Sequence, residues 1–171
     1  AAVVLDADCY IPGVADSKVL TADDRERLFP RIAKAAVCWH AAIVSAAEID
    51  RINIHRASLE AMRQSVMALS PLPGFVLVDA FRIPGLMMPQ RPIPGGDRRC
   101  TAIAAASILA KVTRDRLMLA LHERDPRYGF DRHKGYATRA HLDAMGRFGY
   151  SDEHRRSFRP PSLFDTMPVD D

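Results

Sequence analysis

Short unbroken apolar runs alternate along this chain with longer mixed stretches spaced for helices. The run Val3-Val4-Leu5 predicts the end of a buried strand, followed by a turn at Pro12-Gly13. Thr21 ahead of Asp23, Asp24 and Glu26 predicts a helix N-terminus, where carboxylates favour the helix dipole. Pro30 within that pattern is expected to kink or split the helix. Residues 37–44 form a second strand candidate, apolar apart from His40. Ser45 and Glu48 have capping-box spacing and open a short helix. Ile54, Leu59, Met62, Val66 and Leu69 share one helical face over residues 54–69, until Ser70-Pro71-Leu72-Pro73-Gly74 breaks it.

Phe75-Val76-Leu77-Val78 reads as a strand buried on both faces and ending at Asp79. Residues 83–94, rich in proline and methionine, hold one irregular strand. The longest helix covers residues 100–123, where alanine is frequent. Residues 126–137 read as loop, and a last helix spans 139–148 with Thr138 as its N-cap. Strands alternating with helices give the α/β class. One domain over residues 1–160 and a disordered tail over 161–171 are expected.

Composition narrows this picture. The chain of 171 residues is 48% apolar and 26% charged, as in ordinary globular proteins. Its three cysteines, Cys9, Cys38 and Cys100, have no CxxC spacing and read as buried small hydrophobes in a reducing compartment. No secretory signal is visible, and the run from Ala102 to Ala110 is too short to span a bilayer. A cytoplasmic protein is therefore expected. Net charge is only +3, but it is unevenly spread. Residues 1–85 carry 9 Lys/Arg against 10 Asp/Glu, whereas residues 98–159 carry 14 against 7. A basic half suits a polyanion such as nucleic acid, or is simply a solvated basic face.

Two carboxylates attract attention. Asp79 closes an apolar strand, and in open α/β sheets ligands gather at the carboxyl ends of strands. A turn-forming or capping aspartate fits the same position. Gly95-Gly96-Asp97 lets backbone approach closely and offers a second carboxylate beside Arg98 and Arg99, or is a solvated turn. Two hard oxygen ligands on separate segments suit Mg²⁺ or Mn²⁺. Asp115 is a possible third ligand or an ion-pair partner of the arginines around it. His133-Lys134-Gly135-Tyr136 sets an aromatic ring among cations, and His154-Arg155-Arg156 adds a phosphate-capable cluster. The six histidines are scattered without HxxxH spacing, and there is neither a GxxxxGK loop nor a nucleophile elbow.

Several segments in order resemble ribonuclease HII, the bacterial type-two ribonuclease H. They are Ala15-Asp16-Ser17-Lys18, residues 48–54, residues 75–79, residues 103–115, residues 133–138 and residues 154–158. The resemblance implies a ribonuclease H-like fold, a mixed sheet flanked by helices. It implies hydrolysis of the RNA strand of RNA–DNA hybrids and cutting at ribonucleotides in duplex DNA. The implied reaction is two-metal phosphodiester hydrolysis that leaves 3′-hydroxyl and 5′-phosphate ends. Mg²⁺ or Mn²⁺ is the implied cofactor, and a monomer without membrane contact is expected.

Of the family's four metal-binding carboxylates, the third falls on Asp79 and the fourth on Asp97, which leaves Asp115 a structural or ion-pairing role. The tyrosine that packs on the sugar at the RNA–DNA junction falls on Tyr136, and Lys18 and Arg155 are assigned to the nucleic-acid backbone. Gly95 stands where the family has lysine, Cys100 where serine is common, and Ala80 where glycine often follows the strand aspartate. The family's opening strand, with an Asp-Glu pair and Gly-Arg-Gly, precedes the segment matched by residue 1. The chain is thus expected to be a fragment starting in its second strand. The alternative function is a non-catalytic nucleic-acid-binding fragment.

Overall fold

The computed structural model describes residues 1–158, so the expected tail lies outside the described residues. They divide into two compact units. The first comprises residues 1–44 and 55–113, the second residues 45–54 and those from 114 onward.

In the first unit, β1 (Ala2–Val4) pairs antiparallel with β2 (Cys38–His40), setting Ala2 opposite His40. Between them lies α1 (Ala22–Ala35), whose start is fixed by a reciprocal capping box. The Thr21 hydroxyl accepts from the Asp24 N–H at 3.1 Å, and the Asp24 carboxylate accepts from the Thr21 N–H at 3.3 Å. The expected break at Pro30 does not occur; the helix runs through it. Leu28 and Ile32, buried on either side of the proline, pack against Ala105, Ile108 and Leu109, and this anchorage holds the helix across the lost hydrogen bond. Trp39 packs edge-on against Phe29 at 5.4 Å. The second strand is shorter than the run 37–44 suggested, because the Ala42 N–H leaves the sheet and bonds to the Ser65 hydroxyl at 3.1 Å.

Helix α3 (Ile54–Met67) leads to β3 (Val76–Asp79), which pairs parallel with β4 (Gln90–Ile93). Val78 is buried with Val66, Leu69 and Ile83, but Leu77 is exposed, so β3 is not buried on both faces. Among the described residues the strands form two separate two-stranded sheets. Residues of β1, β3 and α4 (Thr101–Arg124) line an apolar cavity of about 400 Å³.

The second unit contains α2 (Ala46–Ile52), the later turns of α4, α5 (Phe130–His133) and α6 (Arg139–Phe148). The segment expected to be loop thus carries α5 and a 3₁₀ turn at Pro126–Tyr128. Thr138 caps α6 as its sequence predicts, accepting from the His141 N–H at 3.3 Å. Leu121, Tyr128, Phe130 and Met145 form its apolar core. The Asp50 carboxylate on α2 accepts from the N–H groups of Arg156 and Ser157 at 2.8 and 2.9 Å, which anchors that final segment. Among the described residues, no helix is long and apolar enough to cross a membrane.

Candidate active site

Sheet register brings the two singled-out carboxylates together. Because β4 runs parallel to β3 with Ile93 beside Asp79, the chain leaving β4 emerges at the same end as that aspartate. It turns at Gly95, whose φ of 62° lies in the left-handed region, into a 3₁₀ turn at Gly96–Arg98. The Gly96 N–H donates to Asp79 Oδ1 at 2.9 Å, and Asp97 follows directly. A residue larger than glycine at position 96 would force its neighbours to shift. A Cβ at position 96 would lie 2.5 Å from Ile103 Cδ1, 3.2 Å from Ile103 Cγ2 and 3.3 Å from Asp79 Oδ1. The 3₁₀ turn passes into α4 through the Cys100 N–H, which donates to the Gly96 carbonyl at 2.9 Å.

Asp97 is buried, with 6% of its surface exposed, yet it is ion-paired. Lys18 Nζ donates to its Oδ2 at 3.0 Å. That hydrogen bond holds the Asp97 carboxyl below its usual range against the opposing effect of burial, and Arg98 assists. Reciprocally, Asp97 raises the Lys18 pKa, with smaller contributions from Asp16 and Asp79. The lysine therefore feels both site carboxylates. Its own loop is fixed by four contacts: Asp16 Oδ1 accepts from the Lys18 N–H at 2.9 Å, Ser17 and Ser107 hydroxyls lie 2.8 Å apart, and Arg25 Nη1 donates to the carbonyls of Ser17 and Leu20 at 2.8 and 2.6 Å. An open cleft of about 430 Å³ is lined by Asp16, Asp97, Arg98 and Thr101 among others.

Residues 5–160 match the family model for ribonuclease HII. The chain belongs to the ribonuclease HII family. It is 54% identical over 160 residues to the ribonuclease HII of Geobacillus thermodenitrificans, covering 94% of this chain and 61% of that one. Identity to the enzyme of Mycolicibacterium vanbaalenii is 52% over 143 residues, covering 84% and 57%. The chain thus spans about three fifths of the length of these curated relatives. The ribonuclease H2 of Pyrococcus horikoshii OT3 shares the fold, with a TM-score of 0.70 at 24% identity over 85% of this chain and 77% of that one. The ribonuclease H-like α/β fold expected from sequence is therefore the fold of this chain.

Of the five residues singled out, the first unit brings together Asp79, Asp97 and Lys18. Tyr136 and Arg155 belong to the second unit, as does Asp115. Tyr136 is 58% exposed, and the Arg114 guanidinium lies 5.3 Å from its ring centre. Arg155 lies over the Phe158 ring at 4.5 Å, and burial together with Arg114 lowers its pKa. Sequence reasoning overlooked the supports of the site. Ser107 was visible as a hydroxyl in an alanine-rich helix, but Arg25 carried no signal, since its partners are backbone carbonyls. Three of the apparently scattered histidines, His133, His141 and His154, are buried in one cluster of the second unit.

Proposed function

We propose that this chain carries part of the active site of an endonuclease that hydrolyses the RNA strand of RNA–DNA hybrids and cuts at ribonucleotides embedded in duplex DNA. One observation carries this reading: Asp79 and Asp97 are tied together through the Gly96 N–H at the carboxyl end of β3, with Lys18 against the second. Family membership and the basic excess over residues 98–159 support a polyanionic substrate.

The donor set suits a hard divalent cation. Two carboxylates, the second of them on an open cleft, are what Mg²⁺ or Mn²⁺ takes when water and substrate phosphate complete its shell. Asp97 already draws an ammonium group to 3.0 Å. Among the described residues no group of three or more His, Cys, Asp or Glu side chains gathers as a metal site; Asp79 and Asp97 are assigned as ligands on the family resemblance and their link through Gly96. Bound there, the cation would activate water and stabilise charge on the phosphate and leaving oxygen.

In the hydrolysis, a water oxygen bonds to phosphorus and the bond to the 3′-oxygen breaks, giving 3′-hydroxyl and 5′-phosphate ends. Asp97, held ionised by Lys18, accepts from the attacking water and orients it. Lys18, with 78% of its side chain exposed, reaches both Asp97 and an incoming phosphate. Tyr136 offers its exposed ring to the sugar at the RNA–DNA junction, and Arg155 meets the backbone.

A cleavage assay on the intact protein, with a hybrid and with a duplex carrying one ribonucleotide, tests this. Asp79→Asn and Asp97→Asn are each expected to lower turnover on the order of a hundredfold or more. Turnover unchanged by either substitution overturns the site. Binding without cutting by the present chain would favour the non-catalytic alternative.

A further inference from the structure

The buried histidines of the second unit have no part in the chemistry above, yet their hydrogen bonds have a single direction. His141 Nδ1 lies 2.9 Å from the Tyr136 carbonyl, which can only accept, so that nitrogen carries the proton. The Ser151 N–H points at His154 Nδ1 from 3.1 Å, so that nitrogen carries a lone pair and the His154 proton sits on Nε2. His154 Nε2 then donates to His141 Nε2 across 3.0 Å. His133 is fixed in the same way. Its Nδ1 accepts from the Gly135 N–H at 3.2 Å and its Nε2 donates to the Tyr128 carbonyl at 2.8 Å, while its ring stacks on His141 at 4.3 Å. Backbone groups thus dictate the tautomer of three neutral imidazoles.

We infer that His141 and His154 are positioning residues for Tyr136: a relay running from Ser151 through both imidazoles to the Tyr136 carbonyl sets where its ring is presented to nucleic acid. This rests on the reading of Tyr136 as a substrate contact. Both peptide groups flanking its Cα are held, since the Tyr136 N–H donates to the His133 carbonyl at 2.9 Å and its carbonyl also accepts from the Thr138 N–H at 2.8 Å. The preceding chain is turned sharply, with positive φ at Lys134 (48°) and Gly135 (77°).

A proton added to His141 Nε2 would set two N–H groups head-on at 3.0 Å and break the relay. One added to His154 Nδ1 would face the Ser151 N–H at 3.1 Å and turn the Ser151 hydroxyl, 2.7 Å away, from donor to acceptor. Surrounding groups resist that proton. The rings of Tyr128, Phe130 and Tyr150 enclose His154, and Arg155 opposes positive charge on His141. The backbone hydrogen bonds of Tyr136 to His141 and of Ser151 to His154 favour the proton, as does the Asp125 charge. Burial lowers the pKa of His141 and pushes that of His154 down to about 4.

Long-range ¹H–¹⁵N spectra of the intact protein at neutral pH read the relay directly. Nδ1–H for His141 and Nε2–H for His154 are expected, and any other pair of tautomers overturns the inference. Function is read by fluorescence anisotropy with a labelled DNA duplex containing one ribonucleotide. His154→Leu leaves His141 Nε2 without a donor and is expected to weaken binding about tenfold at neutral pH, the scale of one buried hydrogen bond. His154→Gln keeps an N–H donor and is expected to restore most of that affinity. It should also reduce the loss of affinity expected of the wild type on acidification, measured relative to Tyr136→Ala so that general charge effects cancel. Binding by His154→Leu equal to wild type, or no rescue by His154→Gln, overturns the relay. If Tyr136→Ala binds as tightly as wild type, the substrate role of Tyr136 fails, while the tautomers still decide whether the relay exists. Should His154→Leu not fold, the spectra and His154→Gln carry the test.

Discussion

At position 80 a side chain sits where the backbone asks for none. Ala80 has φ of 59°, a left-handed conformation that crowds its Cβ against the following carbonyl. Ala80→Gly is expected to stabilise the protein by about 0.5–1 kcal/mol, after part of the relief is lost to the freer unfolded chain. A shift of the urea midpoint without change in its slope would establish it. Gly96 poses the opposite problem. A methyl group there meets Ile103 and Asp79 Oδ1. Gly96→Ala is therefore expected to cost about 1–3 kcal/mol and to displace the Asp79 carboxylate, lowering turnover more than stability alone accounts for. The glycine pair before Asp97 could be singled out in sequence because glycine permits close approach. What it approaches could not, since Ile103 belongs to a helix that starts later in the chain.

Elements were legible where their signals are local. Thr21 and Thr138 cap their helices because the hydroxyl and the N–H it accepts from lie three residues apart. Thr21→Ala removes the hydroxyl half of the capping box, leaving the Thr21 N–H to Asp24 bond, and is expected to destabilise the protein by about 1 kcal/mol, read as a lowered thermal midpoint. The helix is not split at Pro30 because tertiary packing of Leu28 and Ile32 holds it together across the proline. The site loop was legible only as a resemblance. Lys18 reaches Asp97 across 79 positions, and no periodicity encodes such a pair. Because the Asp97 pKa is depressed, its pairing stabilises the fold above the ordinary carboxylate range and is lost as pH falls through the lowered folded value. In Lys18→Met burial is left to dominate, so the Asp97 pKa should rise, which carboxyl-resolved NMR would detect. A value unchanged by the substitution would mean that Lys18 does not control this group.

For the whole molecule, acid sensitivity should come from histidine burial. His141 and His154 both have lowered pKa values, the latter about 4 against an ordinary 6.5. Between those values the unfolded chain holds more protons than the folded one, so stability falls as pH drops through that window. Urea midpoints measured across it should decline in wild type and less steeply in His154→Gln. The cluster was invisible to sequence spacing because His133, His141 and His154 arrive from α5, α6 and the segment after α6. Trp39, packed on Phe29, adds an optical consequence. It is the only tryptophan of the chain and belongs to the first unit with Tyr10, whereas the other three tyrosines, Tyr128, Tyr136 and Tyr150, belong to the second. Tryptophan emission therefore reports on the first unit, and in Tyr10→Phe the tyrosine near-ultraviolet dichroism reports on the second. On acidification the tyrosine signal should move first, and two non-coincident curves would reveal which half of the protein lets go before the other.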